Sequence, residues 1–428
     1  MSAALPMEIR DPIHGVVRIS EPEMTVIDHP DVQRLRGIRQ LGFAHLPFPG
    51  ATHTRYAHSI GAMNLAGAAY DAALREAPLD AQGGARRAAW RACTRLAALC
   101  HDLGHPPFSH AAEFAMPMLP ALGLPGFTQQ RQATHEDYTI ALLTRGSLAE
   151  VIRANFPFSP EHVAALVSKE IQLDDDFFVE DGLDWRPLLS QLISSELDVD
   201  RLDYLVRDSY YTGTRYGQID APWLISHLGH HVEHGGRVCL ALDHRAIYAF
   251  DDLMIARFHM FVNVYFHQKS IACEQLLKRY VQDPDCDWSL PADLLAYRDH
   301  DDAQLSVHLR GSDNPWARRL SEGRLYRVAL EVHGRRGELH LSDRKAALQQ
   351  AGIDVIEATS RGAVFHEMKP ETPPIYVLDR GHGRLDRAVL LHEATELFHR
   401  YQDERCIGRL YVPGEDVLEA RAMLVALA

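Results

Sequence analysis

The chain reads as a mainly α protein, with a large helical domain over residues 1–285 and a smaller α+β portion over residues 286–428. Three observations predict this. Apolar residues recur near a 3.6-residue period in long stretches up to about residue 281. Two of those stretches, residues 55–74 and 87–103, are rich in Ala and Leu and read as buried helices. Beyond about Asp283 the pattern turns to short strand-like runs broken by Gly and Pro.

The elements follow in order. IRDPIHGVVRIS alternates apolar residues around Pro12 and Gly15, so residues 1–20 read as extended. From Pro22, Val26, Ile27, Val32, Leu35 and Ile38 recur at helical spacing. Pro47, Pro49 and Gly50 then enforce a loop. After helices 55–74 and 87–103, Gly104 and Pro106 stop the second, and residues 107–133 read as loop and short helix. LDDDFFVEDGLD, residues 173–184, reads as an acidic loop. Residues 188–213 and 245–281 give the strongest helical signals, the first stopped by Gly213. In the last third LYRVALEVHG, GELHLS, GIDVIEAT and PPIYVLDR read as strands, and two helical pieces near 389–402 and 414–427 close the chain. No internal repeat is visible.

Composition narrows the function classes. With 44 Lys+Arg against 58 Asp+Glu the formal charge is −14, which argues against a dominant nucleic-acid surface. The 46% hydrophobic and 24% charged residues are an ordinary globular balance, excluding disorder as the main state. No apolar run approaches the ~20 residues of a membrane helix, and the start MSAALPMEIRDP has no apolar core of a signal peptide. Six scattered cysteines without a CxxC pair fit reduced thiols, so a cytoplasmic, membrane-free location is expected.

The sharpest signal is LCHDLGHPPFSH, residues 99–110. His101 and Asp102 stand together at the predicted end of a helix and offer an imidazole and a carboxylate. His58 lies upstream on the Ala-rich helix and Asp200 downstream on a third. Together they make a two-His, two-carboxylate set that leaves coordination positions for water and phosphate oxygens. Taken singly, each has a plainer reading. An HD dipeptide is a weak motif, His58 fits a core histidine, and Asp200 fits a helix-surface carboxylate. Downstream, Asp200, Tyr204 and Asp208 are spaced i, i+4, i+8 and share one helix face, while Arg257 and Tyr265 are eight apart and share another.

The ordered motifs IRDPIHG, QRLRGIRQLG, FPGATHTRYAHSIG, HDLGHPPFSH, THE, LDVDRLDYLVRD and VYFHQK, spread over about two thirds of the chain, resemble the HD-domain phosphohydrolases. Within them the chain is similar to the deoxynucleoside triphosphate triphosphohydrolases of animals and bacteria. No SAM domain of the animal type is expected, because the motifs begin near residue 7. The resemblance implies metal ligation by His58, His101, Asp102 and Asp200. It implies a general-acid role for His110, phosphate and water positioning by His105 and His135, and orientation of His110 by Glu113, where animal relatives carry aspartate. It assigns Arg55, Arg201 and Arg257 to the triphosphate, Arg201 replacing a lysine of the animal enzymes. It assigns Tyr204, Tyr265, Gln40, Leu41 and Asp208 to the deoxynucleoside, with Asp208 accepting from the 3′-OH. Without the resemblance, the three loop histidines read as solvent-facing, and Arg257 and Tyr265 as ordinary helix surface and core.

The implied activity is metal-dependent hydrolysis of dNTP to deoxynucleoside and triphosphate by attack at the α-phosphorus. The divalent metal is Fe, Mn, Zn, Co or Ni, with Mg or Mn accompanying the triphosphate. A homodimer or homotetramer is the implied assembly. Asp28, Gln33 and Arg36 match three positions of the relatives' guanine-reading activator site, but Met7 and Glu8 stand where a cation is expected there. Two alternatives remain open: an HD phosphohydrolase acting on a nucleoside monophosphate or signalling nucleotide, and a non-enzymatic nucleotide-binding protein.

Overall fold

The first described residues form a hairpin of β1 (Met7–Asp11) and β2 (Gly15–Ile19), turned at Gly15 with φ +72°. The computed structural model describes residues 7–77, 83–335, 338–362, 373–379, 387–397 and 405–426. Two short helices follow, α1 (Glu21–Ile27) and α2 (Pro30–Arg34). Ser20 and Glu23 close a capping box at the start of α1. The expected helix after Pro22 is therefore split, because His29 and Pro30 begin a new helix with its own cap.

The Ala-rich segments form α3 (Arg55–Ala73) and α4 (Gly83–Cys100), which pack along one another in the main core. A short 3-10 turn at Gly42–His45 precedes them and another at Ser109–Ala115 follows. Next come α5 (His135–Arg145), α6 (Ser147–Asn155) and α7 (Pro160–Val167). The acidic stretch 173–184 contains a small hairpin, β3 (Val179–Glu180) with β4 (Leu183–Asp184).

The single helix expected over 188–213 is two: α8 (Arg186–Ile193) and α9 (Val199–Thr212). Short polar side chains between them capture the backbone. Asp198 accepts from the amides of Ser195 and Arg201, both at 2.8 Å, and thereby caps α9. The cap places Asp200 in the first turn of α9, and Gly213 ends the helix in the left-handed region.

After α10 (Ala221–Ser226) comes a hairpin that periodicity does not reveal, β5 (Leu228–Val232) with β6 (Val238–Asp243). The long helix expected over 245–281 is α11 (Ile247–Met260), a π turn (Phe261–Tyr265) and α12 (Gln268–Gln282). His267 caps α12 by accepting from the Lys269 amide.

Three helices follow: α13 (Leu294–Arg298), α14 (Asp302–Gly311) and α15 (Pro315–Ser321). Then come β7 (Arg327–Arg335), α16 (Ser342–Gln350), β8 (Ile356–Gly362), β9 (Tyr376–Asp379), β10 (Arg387–Leu390), α17 (Leu391–Ala394) and β11 (Arg405–Val412), and a last helix spans Val417–Ala426. GELHLS forms no strand among its described residues, and the helix expected over 389–402 is helical at Leu391–Ala394 and again at residues 396–397 after a break at Thr395, residues 398–402 lying outside the described residues. β11 lies between β7 and β8 in one antiparallel sheet. A second sheet has the order β10-β9-β6-β5, with β6 and β9 parallel, so strands from either side of residue 285 share it. The fold class is mainly α with a smaller strand-containing C-terminal part. The six cysteines form no disulfide, and no helix among the described residues is long and apolar enough to cross a membrane.

Candidate metal centre and active site

Three helices bring the metal-type ligands together. His58 comes from the first turn of α3, His101 and Asp102 directly follow α4, and Asp200 sits in the first turn of α9. His58 Nε2 lies 3.0 Å from Asp200 Oδ1, 3.3 Å from His101 Nε2 and 3.7 Å from Asp102 Oδ2. His101 Nε2 lies 3.4 Å from Asp102 Oδ1 and 3.5 Å from Asp200 Oδ1. Ligand atoms about 2.0–2.2 Å from one ion are separated by such distances.

The protons of both imidazoles are accounted for. The carbonyl of Ala98 accepts from His101 Nδ1 at 2.7 Å, and Asp203 accepts from His58 Nδ1 at 2.8 Å. With Nδ1 engaged, each ring turns Nε2 into the cluster, the atom that would bind a metal once its proton is displaced. Asp203 is held in turn by Arg207 at 2.7 and 2.9 Å and by His14 Nε2 at 2.5 Å, and Arg207 reaches Asp11 at 2.8 Å. α3 and α9 approach this closely because residue 61 is glycine. A Cβ there would stand 2.0 Å from Asp203 Oδ1 and 2.3 Å from Arg207 Nη2.

Charge in the cluster is strongly biased. Burial alone would lower the His58 imidazole, but hydrogen bonds to Asp200 and Asp203 outweigh it and lift it to about 10. Asp200 is held below the usual carboxylate range against its burial, by His101 and His58. A field that holds a proton on His58 equally favours a cation between these groups. The donor set, its tautomers and its spacing fit a divalent metal; His58, His101 and Asp200 converge and the Asp102 carboxylate stands beside both imidazoles.

A second group faces the first. The His105 ring stacks on His135 at 3.9 Å between centroids, and His110 meets both edge-on at 4.8 and 5.3 Å. Glu113 joins two of them: His135 Nδ1 lies 2.6 Å from one oxygen and His110 Nδ1 3.1 Å from the other. Against its burial, these two histidines hold the Glu113 carboxyl far below its usual range. His105 Nε2 lies 3.3 Å from Asp102 Oδ1, and its buried Nδ1 has no partner. Burial, Arg55 and His135 push the His105 imidazole well below its ordinary value, so it stays neutral.

The loop carrying His105 and His110 is held from outside, and His135 begins α5. Tyr297 donates to the Gly104 carbonyl at 2.7 Å, and Arg34 donates to the carbonyls of Leu103 and His105. Asp302 accepts from the Phe108 amide at 2.6 Å. Phe108 and Ser109 both take positive φ, 56° and 58°, which non-glycine residues rarely adopt. Gly104 packs against the start of α5, where a Cβ would lie 2.0 Å from the His135 carbonyl.

One cavity of about 600 Å³ is lined by both groups and by Tyr204, Asp208 and Tyr265. The expected face of α9 is present, since Asp200, Tyr204 and Asp208 all line it while Leu202 and Leu205 lie in the core. Tyr204 meets Tyr265 edge-on at 6.2 Å. Both Asp208 oxygens are engaged, one by Tyr265 Oη at 2.8 Å and one by His53 Nε2 at 2.7 Å. Gln40 and Leu41 line the cavity, and the buried Gln40 Oε1 has no partner.

Of the three arginines, Arg55 lines the cavity, where it makes a close ion pair with Asp102 and donates to Ser109 Oγ at 2.7 Å. Arg201 and Arg257 do not line it; both face Glu196, at 3.8 and 3.6 Å, and Arg201 also bonds Asp198 at 2.6 Å. The sequence reading leaves Asp203, Arg207, Asp11, His14 and His53 without a role. The available signal was that Asp11 and His14 lie in IRDPIHG and His53 in FPGATHTRYAHSIG.

The comparisons with known proteins agree with this architecture. The HD domain model matches residues 55–208, from the start of α3 to Asp208, and the HD-associated region matches residues 219–358. An uncharacterized protein of Methanocaldococcus jannaschii is 30% identical over 319 residues, covering 74% of this chain and 58% of that protein. The deoxynucleoside triphosphate triphosphohydrolase SAMHD1 of Homo sapiens is 33% identical over 219 residues, covering 48% of this chain and 33% of that protein. The chain thus spans well under two thirds of the curated relatives it matches. A crystal structure of a hypothetical protein from Aquifex aeolicus superposes with a TM-score of 0.76 at 25% identity, covering 98% of this chain and all of that one. The chain carries an HD domain, with its metal-type ligands on α3, α4 and α9, followed by an HD-associated region.

Proposed function

We propose that the chain is a metal-dependent phosphohydrolase that converts dNTP and water to deoxynucleoside and triphosphate by attack at the α-phosphorus. The observation that carries this reading is a single cavity lined by a metal-type His/Asp cluster, a three-histidine wall and a pair of tyrosines. His58, His101, Asp102 and Asp200 would hold a divalent metal, which would supply Lewis acidity and lower the pKa of a water molecule.

The chain's own residues do the rest. His105, neutral and with an open Nδ1, accepts a hydrogen bond from the attacking water. His135 holds a phosphate oxygen. A bond forms between the water oxygen and the α-phosphorus, the bond to O5′ breaks, and the proton lost by the water passes by way of His105 to solvent. His110 gives a proton to O5′ from Nε2, because Nδ1 is committed to Glu113 at 3.1 Å. Arg55 steadies Asp102 and faces the phosphates, and Arg201 and Arg257 add positive charge on the Tyr204 side. The Tyr204 ring packs on C2′, and Asp208, fixed by His53 and Tyr265, accepts from the 3′-OH.

Product analysis with dGTP and added Mn²⁺ tests this reading. Intact triphosphate and deoxyguanosine are expected, with GTP turned over about ten- to a hundredfold more slowly. Release of pyrophosphate or monophosphate, or equal turnover of dGTP and GTP, would instead favour an HD phosphohydrolase acting on another nucleotide.

A further inference from the structure

Two polar side chains on the α12 wall of the cavity have no partner. Ser270 is 3% exposed, and its hydroxyl makes no hydrogen bond. Glu274, half-buried, has no hydrogen bond or ion pair among the described residues, and burial pushes its carboxyl up to about 7. Both line the same cavity as the His/Asp cluster. They stand i, i+4 on α12, hence on one helix face, with Ile271 beside them and Phe261 and Phe266 across the π turn that precedes α12. Such polar groups are costly to bury unless a ligand completes them.

The sign of the charge says which part of a nucleotide belongs there. The other carboxylates lining the cavity are Asp102, Asp200 and Asp208, all paired, and Glu136, exposed. Above about pH 7 Glu274 is an ionised, lone carboxylate that repels a triphosphate, so the phosphates lie away from α12 and the nucleoside lies towards it. Apolar residues flanking Glu274 suit the faces of a flat base. A carboxylate accepts two parallel hydrogen bonds, and among the four bases only guanine offers two adjacent donors, N1–H and the N2 amino group. Adenine and cytosine set a ring-nitrogen acceptor beside their amino group, and thymine flanks its one N–H with two carbonyls.

Resting on the nucleotide reading of this cavity, we propose that Glu274 and Ser270 form the base-reading site and select guanine. Glu274 takes N1–H and N2–H, and Ser270 hydrogen-bonds the base edge beside it.

The test uses deoxynucleosides, which carry no phosphate, so its outcome is independent of hydrolysis. Calorimetric titration of the full chain with deoxyguanosine, deoxyadenosine, deoxycytidine and thymidine should rank deoxyguanosine first by about 10- to 100-fold. Glu274→Gln, which exchanges one acceptor for a donor, should remove that preference while circular dichroism stays unchanged. Ser270→Ala should reduce deoxyguanosine affinity by a few-fold, and it keeps the site testable if the Glu274 variant fails to fold. Equal affinity for the four nucleosides, no measurable binding of any, or a guanine preference that survives Glu274→Gln overturns the proposal. A guanine preference that vanishes with Glu274, in a protein releasing no triphosphate from dGTP, would uphold the base site and overturn the dNTP reading.

Discussion

The two facing groups of the cavity are built in opposite ways. His58, His101 and Asp200 ride on or directly after regular helices whose packing already fixes them. His58 is fully buried, and its orientation is passed back through Asp203 and Arg207 to Asp11. In the histidine wall only His135 starts a helix, α5; His105 and His110 hang on a loop with two left-handed non-glycine residues, and the His110 side chain is 66% exposed. That loop is shaped by groups outside it: Arg34, Tyr297 and Asp302 hold its backbone, and Glu113 ties His110 to His135. Rigid helices suit ion binding, where a shift of a few tenths of an ångström matters. An exposed loop histidine suits a proton transfer that must meet solvent between turnovers.

The largest expected effect falls on the helical side. His101→Ala and Asp102→Ala should each strip the metal and abolish hydrolysis while leaving the helical circular dichroism intact. Metal content by atomic emission on the purified proteins checks this, and full retention in both variants would mean that the ion is held elsewhere.

Breaking the loop side should leave the metal in place. Glu113→Gln weakens the hold on His110 and His135 and so the orientation of both rings. A loss of about 10²–10⁴-fold in kcat with unchanged metal content is expected. If kcat falls less than tenfold, the proton transfer does not run through His110.

The smallest effect concerns the support of the loop and is read as stability against pH. Burial pushes the Asp302 carboxyl up to about 6 although the amides of Phe108 and Arg39 bond to it. The folded protein therefore keeps a proton that the unfolded chain releases near pH 4. Stability should fall as pH rises from about 4 to about 6, by an amount on the order of 3 kcal/mol from this group. Asp302→Asn should remove that part of the slope, as measured by urea unfolding at several pH values. Parallel curves for wild type and variant would exclude Asp302 as its source.

Much of the helical side was legible in the sequence. The face shared by Asp200, Tyr204 and Asp208 follows from the helical period, and the cavity lies on that face. The end of the α4 segment at HDLGHPP follows from Gly104 and Pro106. Breaks were less legible: Asp198 caps a new helix where hydrophobic periodicity runs on, and the π turn at Phe261–Tyr265 leaves no mark in that period.

What the sequence by itself determined, then, is the helical core, the order of the metal-type ligands and the shared face of α9, all of them local properties of segments with a strong period. Tertiary structure alone decided what stands opposite each face. It put Asp203 behind His58, 145 residues away, Asp302 under Phe108, 194 residues away, and His53 against Asp208, 155 residues away. It turned Arg201 and Arg257 towards Glu196, and left Ser270 and Glu274 facing the cavity unpaired. A helical period states which side of an element is buried, but the partner of a polar group depends on which other elements pack there, and that is settled only when the whole chain is closed-packed.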